Sequence, residues 1–106
     1  MGYDTVSYDE VEPRAPGMHF LRDALDCETH GITVVEADAG WEGMEHEHGD
    51  EDHEETYLLL AGAATLAFDG DEAALEPGDA VRVDPGQPRT LSFDADDSLM
   101  VIVGAP

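Results

Sequence analysis

The sequence predicts one all-β domain, a sandwich or barrel of many short strands, and three observations carry that expectation. Apolar and polar residues alternate with a period of two, Val81 and Val83 between Ala80, Arg82 and Asp84, and Leu91 and Phe93 between Thr90, Ser92 and Asp94. Successive side chains of a strand point to opposite faces, so this alternation marks half-buried strands. Turn signals punctuate the chain at short intervals: Ala39-Gly40, Ala61-Gly62, Asp69-Gly70-Asp71, Pro77-Gly78-Asp79, Asp84-Pro85-Gly86 and Asp96-Asp97. Many short runs so spaced favour sheet-on-sheet or barrel architecture. The length, 106 residues, suits one hydrophobic core, taken as a single domain over 1–106.

Taken in order, residues 1–17 read as an N-terminal arm or edge segment. Its stretch Asp9 to Pro16 carries two prolines and three acids, which hide any register. Met18 to Leu25 fits one helical turn or an early strand equally well. The runs Ile32-Thr33-Val34-Val35, Tyr57 to Leu60 and Val101-Ile102-Val103 are expected core strands, and the last of them closes the domain. No internal repeat or interdomain linker interrupts the pattern.

Charge is the unusual feature: 26 Asp and Glu face four arginines and no lysine, for a net charge of −22. Disordered acidic chains lack apolar periodicity, whereas here the acids are scattered among strand-forming runs. The acidity therefore reads as a coat on a folded core, an adaptation to concentrated salt. At molar salt the Debye length falls to about 3 Å and surface repulsion is screened. No basic patch exists to neutralise phosphates, which argues against nucleic acid and anionic membranes as partners. Cys27 is the only cysteine, so no intrachain disulfide can form and a reducing cytoplasm is the expected location. The N-terminus lacks a basic and apolar signal segment, and the longest uncharged run, about a dozen residues, is short of the roughly twenty that span a bilayer.

Three of the five histidines lie close together, His46, His48 and His53. On a strand His46 and His48 share a face, and two imidazoles with a nearby carboxylate suit a divalent transition metal. Acid-rich loops also carry histidines that merely face water. Gly40, His46, His48, Glu55 and Gly62 together resemble the first motif of the cupin family, spanning 40–62. The step from His48 to Glu55, six residues, is longer than the family's usual one and contains His53. The second motif, 78–89, is represented by Gly78 followed by Asp84-Pro85-Gly86-Gln87-Pro88-Arg89, with Arg89 where the family has its third histidine ligand. The resemblance implies a double-stranded β-helix, a jelly-roll barrel, whose His, His, Glu, His set holds iron, manganese, nickel or zinc. It also implies functions from dioxygenases and isomerases to non-catalytic binding proteins, and fold does not choose among them. Small cupins often pair through their sheets, which implies a homodimer.

Arg89 shares strand parity with Leu91 and Phe93 and so should point into the barrel, where an unpaired charge is costly. Two arrangements follow. In one, His46, His48 and Glu55, helped by His53, hold the metal for chemistry on a small anionic substrate that Arg89 and Tyr57 bind. In the other, Glu55 pairs with Arg89, no metal is tightly held, and the pocket binds a small ligand or is structural. Glu54 is the neighbouring alternative to Glu55, but its parity is opposite. Trp41 and Phe68 fit either the pocket or the core, and the core is the commoner place for them. His19 and His30 carry no assigned role.

Overall fold

Two β-sheets face each other across a shared apolar core in the computed structural model, which describes residues 2–41, 43 and 53–106. The strands are β1 (Met18–Phe20), β2 (Gly31–Ala37), β3 (Glu54–Ala61), β4 (Ala64–Phe68), β5 (Asp71–Leu75), β6 (Ala80–Val83), β7 (Thr90–Phe93) and β8 (Ser98–Ala105). The larger sheet runs β1-β2-β8-β3-β6 and the smaller β5-β4-β7, with antiparallel pairing throughout. This is the expected all-β jelly-roll barrel. No helix among the described residues is long and apolar enough to cross a membrane.

Alternation fixes which residues meet inside. Leu91 and Phe93 of β7, Leu66 of β4, Leu59 of β3 and Met100 of β8 are all buried in one cluster. Each large apolar side chain so removed from water contributes about 1.5–3 kcal/mol before the opposing loss of chain entropy. Register aligns Phe20, Thr33, Ile102, Tyr57 and Val81 as one inward row across all five strands of the larger sheet. The next inward row aligns Gly31, Gly104, Glu55 and Val83.

The segment that fits either helix or strand contains both. β1 ends at Phe20, and a short helix α1 (Arg22–Leu25) follows, closed by Asp26 in the left-handed region at φ 57°. His19, on the outward side of β1, is nevertheless covered, because its Nδ1 lies 2.7 Å from the Val11 carbonyl and its ring meets Tyr8 edge-on. The arm is thereby held against the larger sheet, and Tyr8 donates to Glu36 at 2.7 Å.

Glycine is required where β8 crosses the end of β3. A Cβ on Gly62 would lie 2.1 Å from the Ser98 hydroxyl and 2.7 Å from its Cα, and φ there is +86°. Two Pro-Gly turns carry the chain between the sheets, from β5 to β6 and from β6 to β7, with the same bond: Asp79 N–H donates to the Glu76 carbonyl at 2.9 Å and Gln87 N–H to the Asp84 carbonyl at 3.2 Å. Proline presets the first central residue, while Gly78 and Gly86 take the positive φ that a type II turn needs at the second. The second of these turns delivers Arg89 to the mouth of β7.

Candidate functional site

Glu55, Tyr57 and Arg89 converge inside the barrel although Arg89 is 34 residues from Glu55 in the chain. Glu55 and Tyr57 share a face because they are two apart on β3. Arg89 reaches them from the turn before β7, on the parity of Leu91 and Phe93, and only 1% of it is exposed. Its Nη2 donates to Glu55 Oε1 at 2.6 Å, its Nε to the Tyr57 hydroxyl at 3.2 Å, and its Nη1 to the Gln87 carbonyl at 2.8 Å. The Tyr57 hydroxyl in turn donates to Glu55 Oε1 at 2.8 Å. Opposite Glu55 on β8 stands Gly104, where a Cβ would come within 3.4 Å of the carboxylate, so the absent side chain leaves it room.

The electrostatics follow from this closure. Burial pushes the Tyr57 phenol up to about 12, the Glu55 charge adds to the rise, and Arg89 opposes it. Tyr57 therefore stays protonated and acts as a donor throughout the neutral range. Burial pulls the Arg89 pKa down, but the hydrogen bonds and charges of Tyr57 and Glu55 outweigh it and leave the pKa above its ordinary value. The guanidinium remains a cation.

A cavity of about 410 Å³ opens beside this network, lined on its apolar walls by Met18, Phe20, Trp41, Leu91 and Ile102, with Thr33, Tyr57, Glu55 and Arg89 as its polar groups. Trp41 is held in the wall by an indole N–H bond of 2.8 Å to the Pro16 carbonyl and by edge-on packing against Phe93 at 5.3 Å. A larger groove of about 650 Å³ lies by Pro16, Glu36, Asp38 and Asp97. Two of its carboxylates already serve the fold, Glu36 accepting from Tyr8 and Asp38 from the Asp97 N–H. The smaller cavity is the candidate site.

Among the sequence-predicted residues, Glu55, Tyr57 and Arg89 are brought together. Glu54 points away and pairs with exposed Arg82 at 3.2 Å. His53 stands half-buried just before β3, and among the described residues no three His, Cys, Asp or Glu side chains gather to hold a metal ion. His46 and His48 lie outside the described residues. The described part does not fit the four-ligand centre that the resemblance implies. Arginine has only donors, remains protonated, and here binds the very carboxylate that would be a ligand. Met18, Phe20, Thr33, Leu91 and Ile102 are lining residues that sequence reasoning did not place at the site, and Trp41, which the sequence left between pocket and core with the core favoured, also lines it. The period-two pair Met18 and Phe20 was the available signal, but a three-residue strand is too short to outvote a helical turn.

A two-sheet jelly roll with a cavity between the sheets defines the class of small double-stranded β-barrels. Within it the chain belongs to the cupins, whose domain family matches residues 33–104. No curated protein matches the sequence. Among solved structures it is similar to a cupin protein from Bacteroides fragilis, at 22% identity and TM-score 0.78, covering 99% of this chain and 85% of that one. KdgF from a Halomonas species aligns at 22% identity and TM-score 0.74, covering 96% and 94%. A sugar phosphate isomerase of the cupin superfamily from Silicibacter pomeroyi aligns at 21% identity and TM-score 0.78, covering 97% and 76%. At such identities the likeness shows the fold.

Proposed function

We propose that this chain is a small-ligand-binding cupin whose site is organised by the Arg89, Glu55 and Tyr57 network rather than by a tightly held metal. One observation carries this reading: a guanidinium only 1% exposed lines the cavity. Described residues accept one N–H from each of its three nitrogens, which fixes the guanidinium as a charged element of the cavity wall. Binding is favoured over turnover because Tyr57 keeps its proton and Glu55 Oε1 already accepts two hydrogen bonds.

The rival reading places a transition metal on His46, His48 and Glu55, with His53, and makes the protein an isomerase- or dioxygenase-like enzyme. Metal content separates the two. Protein purified from molar salt without a histidine tag is expected to contain substoichiometric transition metal, and Arg89→His is expected to create zinc or manganese affinity by supplying a third imidazole. Elemental analysis and calorimetric titration check both. Stoichiometric metal in the wild-type protein, lost when His46 and His48 are both replaced by alanine, would overturn the proposal.

The same reading makes the protein a homodimer in a salt-rich cytoplasm. Leu60 and Val103, 48% and 38% exposed, lie on the outward face of the larger sheet, where a second sheet would cover them. Light scattering in molar salt is expected to give twice the 11.4 kDa chain mass; a monomer alone would refute the pairing.

A further inference from the structure

Resting on that reading of the cavity, we propose that its ligand is an elongated organic acid, with an apolar body in the cavity and a carboxylate in an adjoining compartment on Arg22 and Arg14. The position of Arg22 carries this inference. Among the described residues Arg14, Arg82 and Arg89 each reach a carboxylate, whereas Arg22 reaches two backbone carbonyls. Its Nε donates to Cys27 at 3.3 Å and its Nη2 to Glu28 at 3.0 Å. These bonds fix the half-buried guanidinium without meeting its charge, and Nη1 keeps its donors for a ligand oxygen.

Arg22 lines a compartment of about 190 Å³ with Arg14, Asp23, Phe20, Gly31 and Thr33. Ligand pockets usually hold about 300 Å³ or more, so this one suits the end of a molecule rather than the whole. Phe20 and Thr33 line both the compartment and the cavity of about 410 Å³, which makes the two spaces neighbours. Gly31 pairs with Gly104, and Gly104 with Glu55, along one inward row, and a Cβ on Gly31 would meet nothing within 4 Å. The two glycines leave a passage there. Arg14 has its Nη2 held by Asp23 at 2.9 Å and lies over the Phe20 ring, 5.8 Å from its centre. Because Asp23 offsets Arg14, the compartment matches one negative charge better than a phosphate carrying nearly two. Hydrogen bonds between guanidinium and carboxylate are about twice as strong as neutral ones. In molar salt the −22 surface repels an approaching acid over only about 3 Å.

4-Phenylbutyrate and 4-phenylbutyramide share a ring and a tether and differ in the charge at the end. Trp41, the only tryptophan, lines the cavity and reports occupancy through its fluorescence and its indole N–H resonance. In molar potassium chloride at neutral pH, the carboxylate is expected to bind at least about tenfold more tightly than the amide. Arg22→Gln is expected to abolish that preference while leaving amide binding within about twofold. If Arg22 served only to close the end of α1, the preference would survive the change. Should that variant fail to fold, Gly31→Val decides, because its side chain enters the passage and is expected to remove the preference as well. Equal binding of the two probes to the wild-type protein overturns this inference but leaves the cavity standing, as does a preference that survives in the folded variant. No response of Trp41 to either probe overturns the cavity reading itself.

Discussion

Arg89→Met is expected to destabilise the domain by about 3 kcal/mol, toward the low end of the range for breaking a buried ion pair from one side. The low end applies because the Glu55 side chain keeps 18% of its surface exposed, so water recovers part of its lost solvation. The size of the loss comes from what is left behind: Glu55 keeps its Tyr57 bond but loses the neighbouring cation. For a domain of this length the melting temperature should fall by more than about 10 °C. Adding Glu55→Gln to Arg89→Met removes the carboxylate charge that has lost Arg89 and should restore much of the loss, since an ion pair and a neutral pair of similar volume often differ little. Thermal melts of the two single variants and the double variant in molar salt give the coupling directly. Additive losses would mean that the two side chains do not depend on one another for stability.

Dilution of salt should have an effect at least as large. At 1 M the Debye length is about 3 Å, whereas at 0.01 M it is about 30 Å. The latter equals the 30 Å breadth of the molecule, so nearly every carboxylate then repels every other. The cations cannot offset this. Arg14 pairs with Asp23 at 2.9 Å and Arg82 with Glu54 and Asp84 on exposed surface, where such pairs contribute about 0–1 kcal/mol each. Arg22 is spent on the Cys27 and Glu28 carbonyls, and Arg89 is inside the barrel. The melting temperature at pH 7 is therefore expected to drop by on the order of 10 °C or more between molar and tens-of-millimolar salt, with loss of cooperative unfolding at the low end. A midpoint that stays level or rises on dilution would remove salt adaptation as the meaning of the acidic coat.

The strands, their inward faces and the burial of Arg89 were legible from residues 80–94 and their counterparts, because a strand's side-chain period follows from backbone geometry alone. Val81, Val83, Leu91 and Phe93 needed no knowledge of their neighbours to show which way they point. The Gly-Pro punctuation was legible for the same local reason, since Gly78 and Gly86 answer to backbone dihedrals within four residues. Motif spacing went further, because it associated Glu55 with Arg89 across the chain. It could not choose between a metal ligand and an ion-pair partner.

The pairing of Glu55 with Arg89 was visible only in the tertiary structure. The Tyr57 hydroxyl meets both Glu55 and Arg89 only because the turn before β7 faces the start of β3 across the barrel. The character of the cavity was also decided there. Met18 and Phe20 come from a segment with no local preference between helix and strand, and they join the wall because β1 adds to the edge of β2. The sequence by itself determined that a charged arginine would be turned inward, because parity is a local property of the chain. Whether that charge would meet a carboxylate depended on which strands became neighbours, because Coulombic compensation acts through distance in space and not along the sequence.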